Sequence, residues 1–223
     1  MKALLLAAGR GERMRPLTDA LPKPLLTVGG RPLIAWHLAA LARAGIREVV
    51  INLSWLGEQL RTALGDGSAY GVSLAYSDEG PVALETGGGI VRALPLLGPQ
   101  PFLVVSGDVW TQIDFASLRL APDALAHLVL IPNPPHHPRG DFGLEESGWV
   151  VNRDSERLTY GNVGIYRPEF FSGFADGRFP LIQPLRRGID ARQVRGERFG
   201  GRWCDVGTPD RLAELNHSLG AVQ

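Results

Sequence analysis

Six consecutive apolar residues, Ala3 to Ala8, run straight into Gly9-Arg-Gly11, and no other junction constrains the chain as much. An unbroken apolar run of this length marks a strand buried on both faces, as in a parallel sheet. Glycines at its end let the backbone approach a ligand closely, and successive N–H groups of a turn form an anion-binding concavity. Arg13, Arg15 and, after a proline-bounded turn, Lys23 add three cations. The segment therefore reads as a triphosphate cradle at the carboxyl end of a first strand. A Walker loop is absent, and a dinucleotide fingerprint would need a glycine where Met14 stands.

Composition narrows the partners. At 223 residues the chain can bury one good core, so a single α/β domain is expected. Lys and Arg total 23, as do Asp and Glu, so no global field favours nucleic acid or an anionic membrane, and neither is expected as a partner. The one cysteine, Cys204, cannot form an intramolecular disulfide or a thiolate zinc site, which suits a reducing cytoplasm. Lys2 followed by Leu4 to Ala8 imitates a signal peptide, but the run is short and leads into arginines without a cleavage site. A soluble cytoplasmic protein, monomeric or weakly homo-oligomeric, is expected.

The first half alternates strand and helix patterns. Leu33, Ile34, His37, Leu38 and Leu41 share one face of a helix from Pro32 to Ala44; Glu48 to Leu53 is a buried strand; Trp55 to Leu64 is a second helix. Val72 to Tyr76 and Phe102 to Val105 are further strands, with a helix starting at Gly88 between them. This alternation implies βαβ units and a mostly parallel, mixed sheet whose ligands bind beyond the strand carboxyl ends. The second half is more antiparallel: a strand over Ala126 to Ile131, a hairpin from Phe142 to Val151 turning near Glu146 to Gly148, and a strand over Leu158 to Tyr166. Thr208 and Pro209 suit the N-cap and first position of a last helix.

Asp108 follows the buried run Phe102 to Val105, and Asp205 ends the short run Trp203-Cys-Asp205, so both carboxylates are expected at strand ends near the cradle. Phosphoryl chemistry on a nucleoside triphosphate generally uses Mg²⁺ held by one or two carboxylates and substrate oxygens. Gly87-Gly88-Gly89 reads as a loop between strand and helix that something approaches closely. His136-His137 lies in a proline-rich loop with no third metal ligand nearby, His37 sits on an apolar helix face, and Cys204 is flanked by apolar side chains. These four are expected to be solvated or substrate-loop residues, a core histidine and an inert thiol, respectively.

The segment Gly-x-Gly-x-Arg-Met-Arg-Pro-Leu-Thr followed by Pro22-Lys23-Pro24 closely resembles the signature of the sugar-1-phosphate nucleotidyltransferases. The resemblance runs from Lys2 to the Thr208 helix. It implies a single-domain, three-layer Rossmann-like sheet of the GT-A-like type, with residues 1–110 binding nucleotide and residues 111–223 binding sugar phosphate. Asn52-Leu-Ser-Trp55-Leu-Gly, Leu84-Glu-Thr-Gly-Gly-Gly, Gly107-Asp-Val-Trp110-Thr and the loop from Asn133 to Phe142 are most similar to members that use UTP and N-acetylmuramic acid 1-phosphate in peptidoglycan recycling.

For this chain the resemblance implies Mg²⁺ on Asp108 and Asp205, with Arg15, Lys23 and Asp108 catalytic. Ala8, Gly9, Gly11, Glu12, Arg13, Lys23, Gly80, Glu85, Thr86 and Gly87 would bind nucleotide, and Ser106, Asp141, Gly161 and Asn162 the sugar phosphate. Ser106 departs from the subgroup's usual Asn. A Glu-Lys-Pro element common in broader relatives is missing, with Asn152-Arg-Asp154-Ser-Glu156 standing nearby. Alternatives are a mannose- or glucose-1-phosphate guanylyl- or thymidylyltransferase, a non-catalytic nucleotide-sugar-binding regulator, and a Rossmann oxidoreductase.

Overall fold

A computed structural model describes residues 1–153 and 155–220; Asp154, in the segment that replaces Glu-Lys-Pro, lies outside them. The first half comprises β1 (Lys2–Leu6), α1 (Leu17–Ala20), β2 (Thr27–Val28), β3 (Arg31–Pro32), α2 (Leu33–Arg43), β4 (Glu48–Leu53), α3 (Gly57–Leu64), β5 (Ser73–Asp78), α4 (Glu85–Leu97) and β6 (Phe102–Ser106). The second half adds β7 (Val109–Thr111), β8 (Ala126–Ile131), β9 (Phe142–Leu144), β10 (Val150–Val151), β11 (Arg157–Tyr166), α5 (Ile182–Asp190), β12 (Val194–Arg198), β13 (Trp203–Asp205) and α6 (Pro209–Gly220).

Nine strands form one mixed sheet. β6, β1, β4 and β5 are parallel neighbours in that order, so the ends of β1, β4, β5 and β6 all open on one edge. β11 pairs antiparallel with β6, β8 and β9, and β12 runs parallel to β8. The expected parallel first half forms, and the second half is the more antiparallel one, with β12 on β8 its parallel exception. Strand alternation sorts the core into two layers. Ala3, Leu5, Val49, Ile51, Leu103 and Val105 face α2 and α3, while Leu4, Val50, Phe102 and Val104 face α4 and α5. A smaller cluster of Met14, Leu33, Trp110, Val206 and Leu215 sits under a ribbon made by β7 and β13.

The glycine run is not a loop. Gly87, Gly88 and Gly89 lie inside α4, buried in its first turns. A Cβ on Gly88 would stand 2.0 Å from the Gly177 carbonyl oxygen, and one on Gly89 would stand 2.3 Å from Glu79 Oε1. The run costs helix propensity, and tertiary packing outweighs that cost because no larger residue fits between α4 and the 177–179 segment. Gly88→Ala is expected to destabilise the protein by about 2 kcal/mol or more, since backbone rather than a mobile side chain must yield. Urea unfolding at pH 7 measures this, and a midpoint equal to wild type would contradict it. α5 has no clear counterpart in the sequence pattern, since Pro184 and Gly188 both argue against a helix. Pro184 occupies the first turn, where its missing N–H costs no intrahelical bond.

Candidate active site

Gly11 takes a left-handed conformation, φ 65°, and turns the chain from β1 into a 3₁₀ turn over Glu12–Met14. A side chain there would be strained and would press on Thr18. Thr18 fastens the turn by donating its hydroxyl to the Gly11 carbonyl at 2.8 Å. The turn walls a cleft of about 580 Å³ at the carboxyl edge of the parallel strands. Ala8, Gly9, Gly11, Glu12, Arg13, Lys23, Glu85, Thr86, Ser106 and Asp108 all line it.

At its floor the Lys23 ammonium meets Asp108 Oδ2 at 2.7 Å, and the Ser106 hydroxyl donates to Asp108 Oδ1 at 2.8 Å. Lys23 is 8 % exposed, whereas the Asp108 side chain keeps 37 % of its surface open to the cleft. Burial alone would raise the Asp108 carboxyl; the charge and hydrogen bond of Lys23, with the Ser106 hydroxyl, overcome it and hold the group below the ordinary aspartate range. Asp108 is therefore a carboxylate across the physiological range.

β13 pairs with β7 so that Asp205 lies opposite Val109, and the Val206 N–H donates to the Asp108 carbonyl at 2.8 Å. The two aspartates thus lie close to one ribbon, Asp108 in the turn between β6 and β7 and Asp205 at the end of β13, the partner of β7. Asp205 is engaged by the Arg211 guanidinium and by His136 Nε2, the latter at 3.0 Å. Thr208 accepts the Arg211 N–H at 3.3 Å as the N-cap of α6.

His37 is buried on α2 with Nε2 2.7 Å from the Val109 carbonyl, beside Asp108. Facing a carbonyl, that nitrogen carries the proton. Burial is the main cause that pushes the imidazole down to about 4, against the raising effects of the Val109 bond and the Asp108 charge. The folded state therefore binds fewer protons than the unfolded state between about pH 6.5 and pH 4, and stability falls as pH drops through that window. His37→Gln keeps a donor to Val109 without the titration. Its unfolding free energy is expected to fall by about 2–3 kcal/mol less than that of wild type between pH 7.5 and 4.5. Urea titrations at the two pH values test this; parallel losses in both proteins would refute it.

A second cavity, of about 460 Å³, adjoins the first, and Arg13 and Thr86 line both. His136, His137, Asp141, Asn162, Trp203 and Asp205 line it as well. Asp141 accepts the Tyr160 N–H at 2.8 Å on one oxygen and meets His137 Nε2 at 3.0 Å on the other. Asn162 sits at φ 57° where the β11 pairing with β8 is irregular, which turns it toward the cavity.

Several residues proposed from sequence are not brought to these walls. Arg15 lies at the surface, its side chain 60 % exposed and paired with Asp19 at 3.0 Å, because the chain leaves the 3₁₀ turn there in an extended conformation. Gly80 closes a turn on Asp78 and accepts the Ser54 hydroxyl. Gly87 abuts Phe179, and Gly161 gives its carbonyl to the Trp203 indole at 2.8 Å. Ser106 does reach the wall of the first cleft, where it orients Asp108, but it does not line the second. The histidine pair lines the second cavity, His136 against Asp205 and His137 against Asp141. Cys204 is half-buried, and burial, with the Asp205 charge second, raises its thiol to about 11.

Two cleft residues carried no individual signal in sequence. Asn52 receives the Ala7 N–H on Oδ1 at 2.5 Å and donates to Glu79 Oε1 at 2.6 Å, while Glu79 Oε2 accepts the Leu84 N–H at 2.6 Å. This chain ties the ends of β1, β4 and β5 to the entry of α4. Burial raises the Glu79 carboxyl, against the lowering effect of those two donors.

A glycine turn flanked by Arg13 and Lys23, two aspartates and two adjoining cavities at one edge of an α/β sheet suit an enzyme that brings a nucleotide and a second substrate together. The chain belongs to the nucleotidyl transferase family, whose model matches residues 2–159. It is 54 % identical over 230 residues to an N-acetylmuramate alpha-1-phosphate uridylyltransferase of Neisseria meningitidis serogroup B, covering 99 % of each chain. A Caulobacter vibrioides protein of the same name is 33 % identical over 234 residues, covering 95 % of this chain and 97 % of the relative. The fold matches the solved structure of a Bacillus anthracis protein described as a candidate glucose-1-phosphate thymidylyltransferase in complex with sucrose. That match has a TM-score of 0.86 at 20 % identity and covers 98 % of this chain and 95 % of the other.

Proposed function

We infer that the protein transfers the uridylyl group of UTP to N-acetylmuramic acid 1-phosphate, giving the UDP-sugar and pyrophosphate. The full-length likeness to the Neisseria meningitidis uridylyltransferase carries the choice of substrates. The Glu79 carboxylate on the cleft wall adds a physical reason: an acceptor there suits the N3–H of uracil and disfavours cytosine, which presents an acceptor at that position. In this reading the first cleft takes the nucleotide and the second the sugar phosphate, so residues 1–110 and 111–223 supply most of each site. Asp141 and Asn162 hold sugar hydroxyls.

A phosphate oxygen of the sugar 1-phosphate attacks the α-phosphorus in line, and the bond to the β-phosphate oxygen breaks with its electron pair leaving on pyrophosphate. No proton transfer is needed, so positioning and charge neutralisation supply the rate. Arg13, which lines both cavities, takes the place first given to Arg15 and neutralises phosphates at their junction. Lys23 meets charge developing around the α-phosphorus.

Asp108, in the turn after β6, and Asp205, at the end of β13, are hard oxygen donors on the walls of the two adjoining cavities. Among the described residues no cluster of three or more acids, histidines and cysteines forms a complete protein cage. That donor set fits Mg²⁺, which keeps substrate oxygens and waters as ligands. When bound, the ion would neutralise phosphate charge as a Lewis acid. No helix among the described residues is long and apolar enough to cross a membrane; with a single unpaired cysteine, we place the enzyme in the cytoplasm, in cell-wall recycling.

The reading is tested by a panel of nucleoside triphosphates against N-acetylmuramate, N-acetylglucosamine, glucose and mannose 1-phosphates, followed by pyrophosphate release. UTP with N-acetylmuramate 1-phosphate is expected to give the highest kcat/KM. Preference for GTP with mannose 1-phosphate, or for a thymidine nucleotide with glucose 1-phosphate, would replace it.

A further inference from the structure

Arg10 stands between the two cradle glycines, Gly9 and Gly11. It lines the first cleft and not the second, so it lies away from the junction where the reacting phosphates meet. Its guanidinium carbon rests over the Trp55 ring, 5.0 Å from the centroid. Among the described residues Arg10 has no ion pair or hydrogen bond, whereas Lys23 is held by Asp108 and Arg15 by Asp19.

Trp55 is itself fixed. It follows the end of β4, where the Ser54 hydroxyl donates to the Gly80 carbonyl at 3.0 Å, and its indole N–H donates to the Thr18 carbonyl at 3.3 Å. Thr18 in turn holds Gly11. One set of contacts therefore sets both the cradle backbone and the platform on which the Arg10 side chain lies. An arginine stacked on an aromatic face gives up less conformational freedom when its N–H groups engage an anion, and it offers bidentate geometry to phosphate.

We propose that Arg10 binds the β- and γ-phosphates of the nucleotide and then the departing pyrophosphate, with Trp55 as its positioning residue. This rests on the nucleotidyl-transfer reading: the Pα–O bond that breaks leaves its electron pair on pyrophosphate, whose added charge Arg10 meets. Arg13, shared by both cavities, serves the α-phosphate side, so Arg10 and Arg13 divide leaving group and reacting centre between them.

The test is calorimetric binding of inorganic pyrophosphate and, separately, of UMP, which lacks the β- and γ-phosphates, to the full-length wild type and variants. Arg10→Gln is expected to weaken pyrophosphate about tenfold or more, the loss of a charge-assisted contact, and to change UMP less than twofold. Trp55→Leu should weaken pyrophosphate severalfold with UMP unchanged, and Trp55→Phe should restore most of it by keeping an aromatic face. Pyrophosphate should also change tryptophan emission in the wild type more than in Trp55→Phe. UMP binding serves as the check that each variant is folded.

Equal pyrophosphate affinity in Arg10→Gln and wild type, or equal loss of both ligands, overturns the role of Arg10. Unchanged pyrophosphate binding in Trp55→Leu overturns that of Trp55. A failed substrate reading would appear instead as a different preferred nucleotide or sugar in the panel, with the Arg10 effect on pyrophosphate intact.

Discussion

Asp108→Ala is expected to lower kcat by about 100-fold or more at saturating Mg²⁺ and substrates, because the proposed mechanism gives this carboxylate the metal at the reacting centre. The side chain stands at the cleft floor between Lys23 and Ser106, ionised and with one edge open. Its loss also leaves the nearly buried Lys23 ammonium without a partner, so Asp108→Asn accompanies it to separate chemistry from folding. The amide oxygen keeps an acceptor for the Lys23 ammonium and its NH₂ can donate to the Ser106 hydroxyl, while the charge is removed. Steady-state kinetics with thermal melts of both variants provide the measurement; a folded variant with near-normal turnover would refute the assignment.

Lys23→Met is expected to reduce kcat by about 100- to 1,000-fold while changing the KM for UTP by a few-fold only. Removing a preorganised donor from developing transition-state charge has effects of that size. Pro22 and Pro24 restrict the backbone on either side, and the salt bridge to Asp108 at 2.7 Å fixes the ammonium before substrate arrives. Methionine preserves the length and apolar contacts of the stem. A large rise in KM with kcat unchanged would make Lys23 a ground-state binding residue instead.

The two variants act on one ion pair and should not be additive. If Asp108 and Lys23 serve the same charge distribution, the double variant should lose little more than the worse single one. The pair spans 85 positions of sequence, yet each member is held locally, Lys23 by its flanking prolines and Asp108 by the end of β6.

What the sequence determined by itself is whatever depends on neighbouring residues. The unbroken apolar run of β1, the Gly9–Gly11 turn, the amphipathic face of α2 and the Thr208 cap of α6 were all legible, because strand, turn and helix patterns repeat over a few positions. The parallel first half and the positions of Asp108 and Asp205 at strand ends followed from the same patterns.

Tertiary structure decided what local pattern leaves open. Three glycines in a row look like a loop until Gly177 and Glu79 are brought against them, whereupon they become the only residues that fit inside α4. Arg13 and Arg15 are chemically equivalent in sequence. A left-handed Gly11 and a single 3₁₀ turn aim the first into both cavities and send the second out to Asp19. Asn52 and Glu79 are ordinary polar residues until three strand ends converge and make them one hydrogen-bonded wall. Side-chain direction on irregular backbone, and burial imposed by segments distant in sequence, are set by packing that no short-range periodicity encodes.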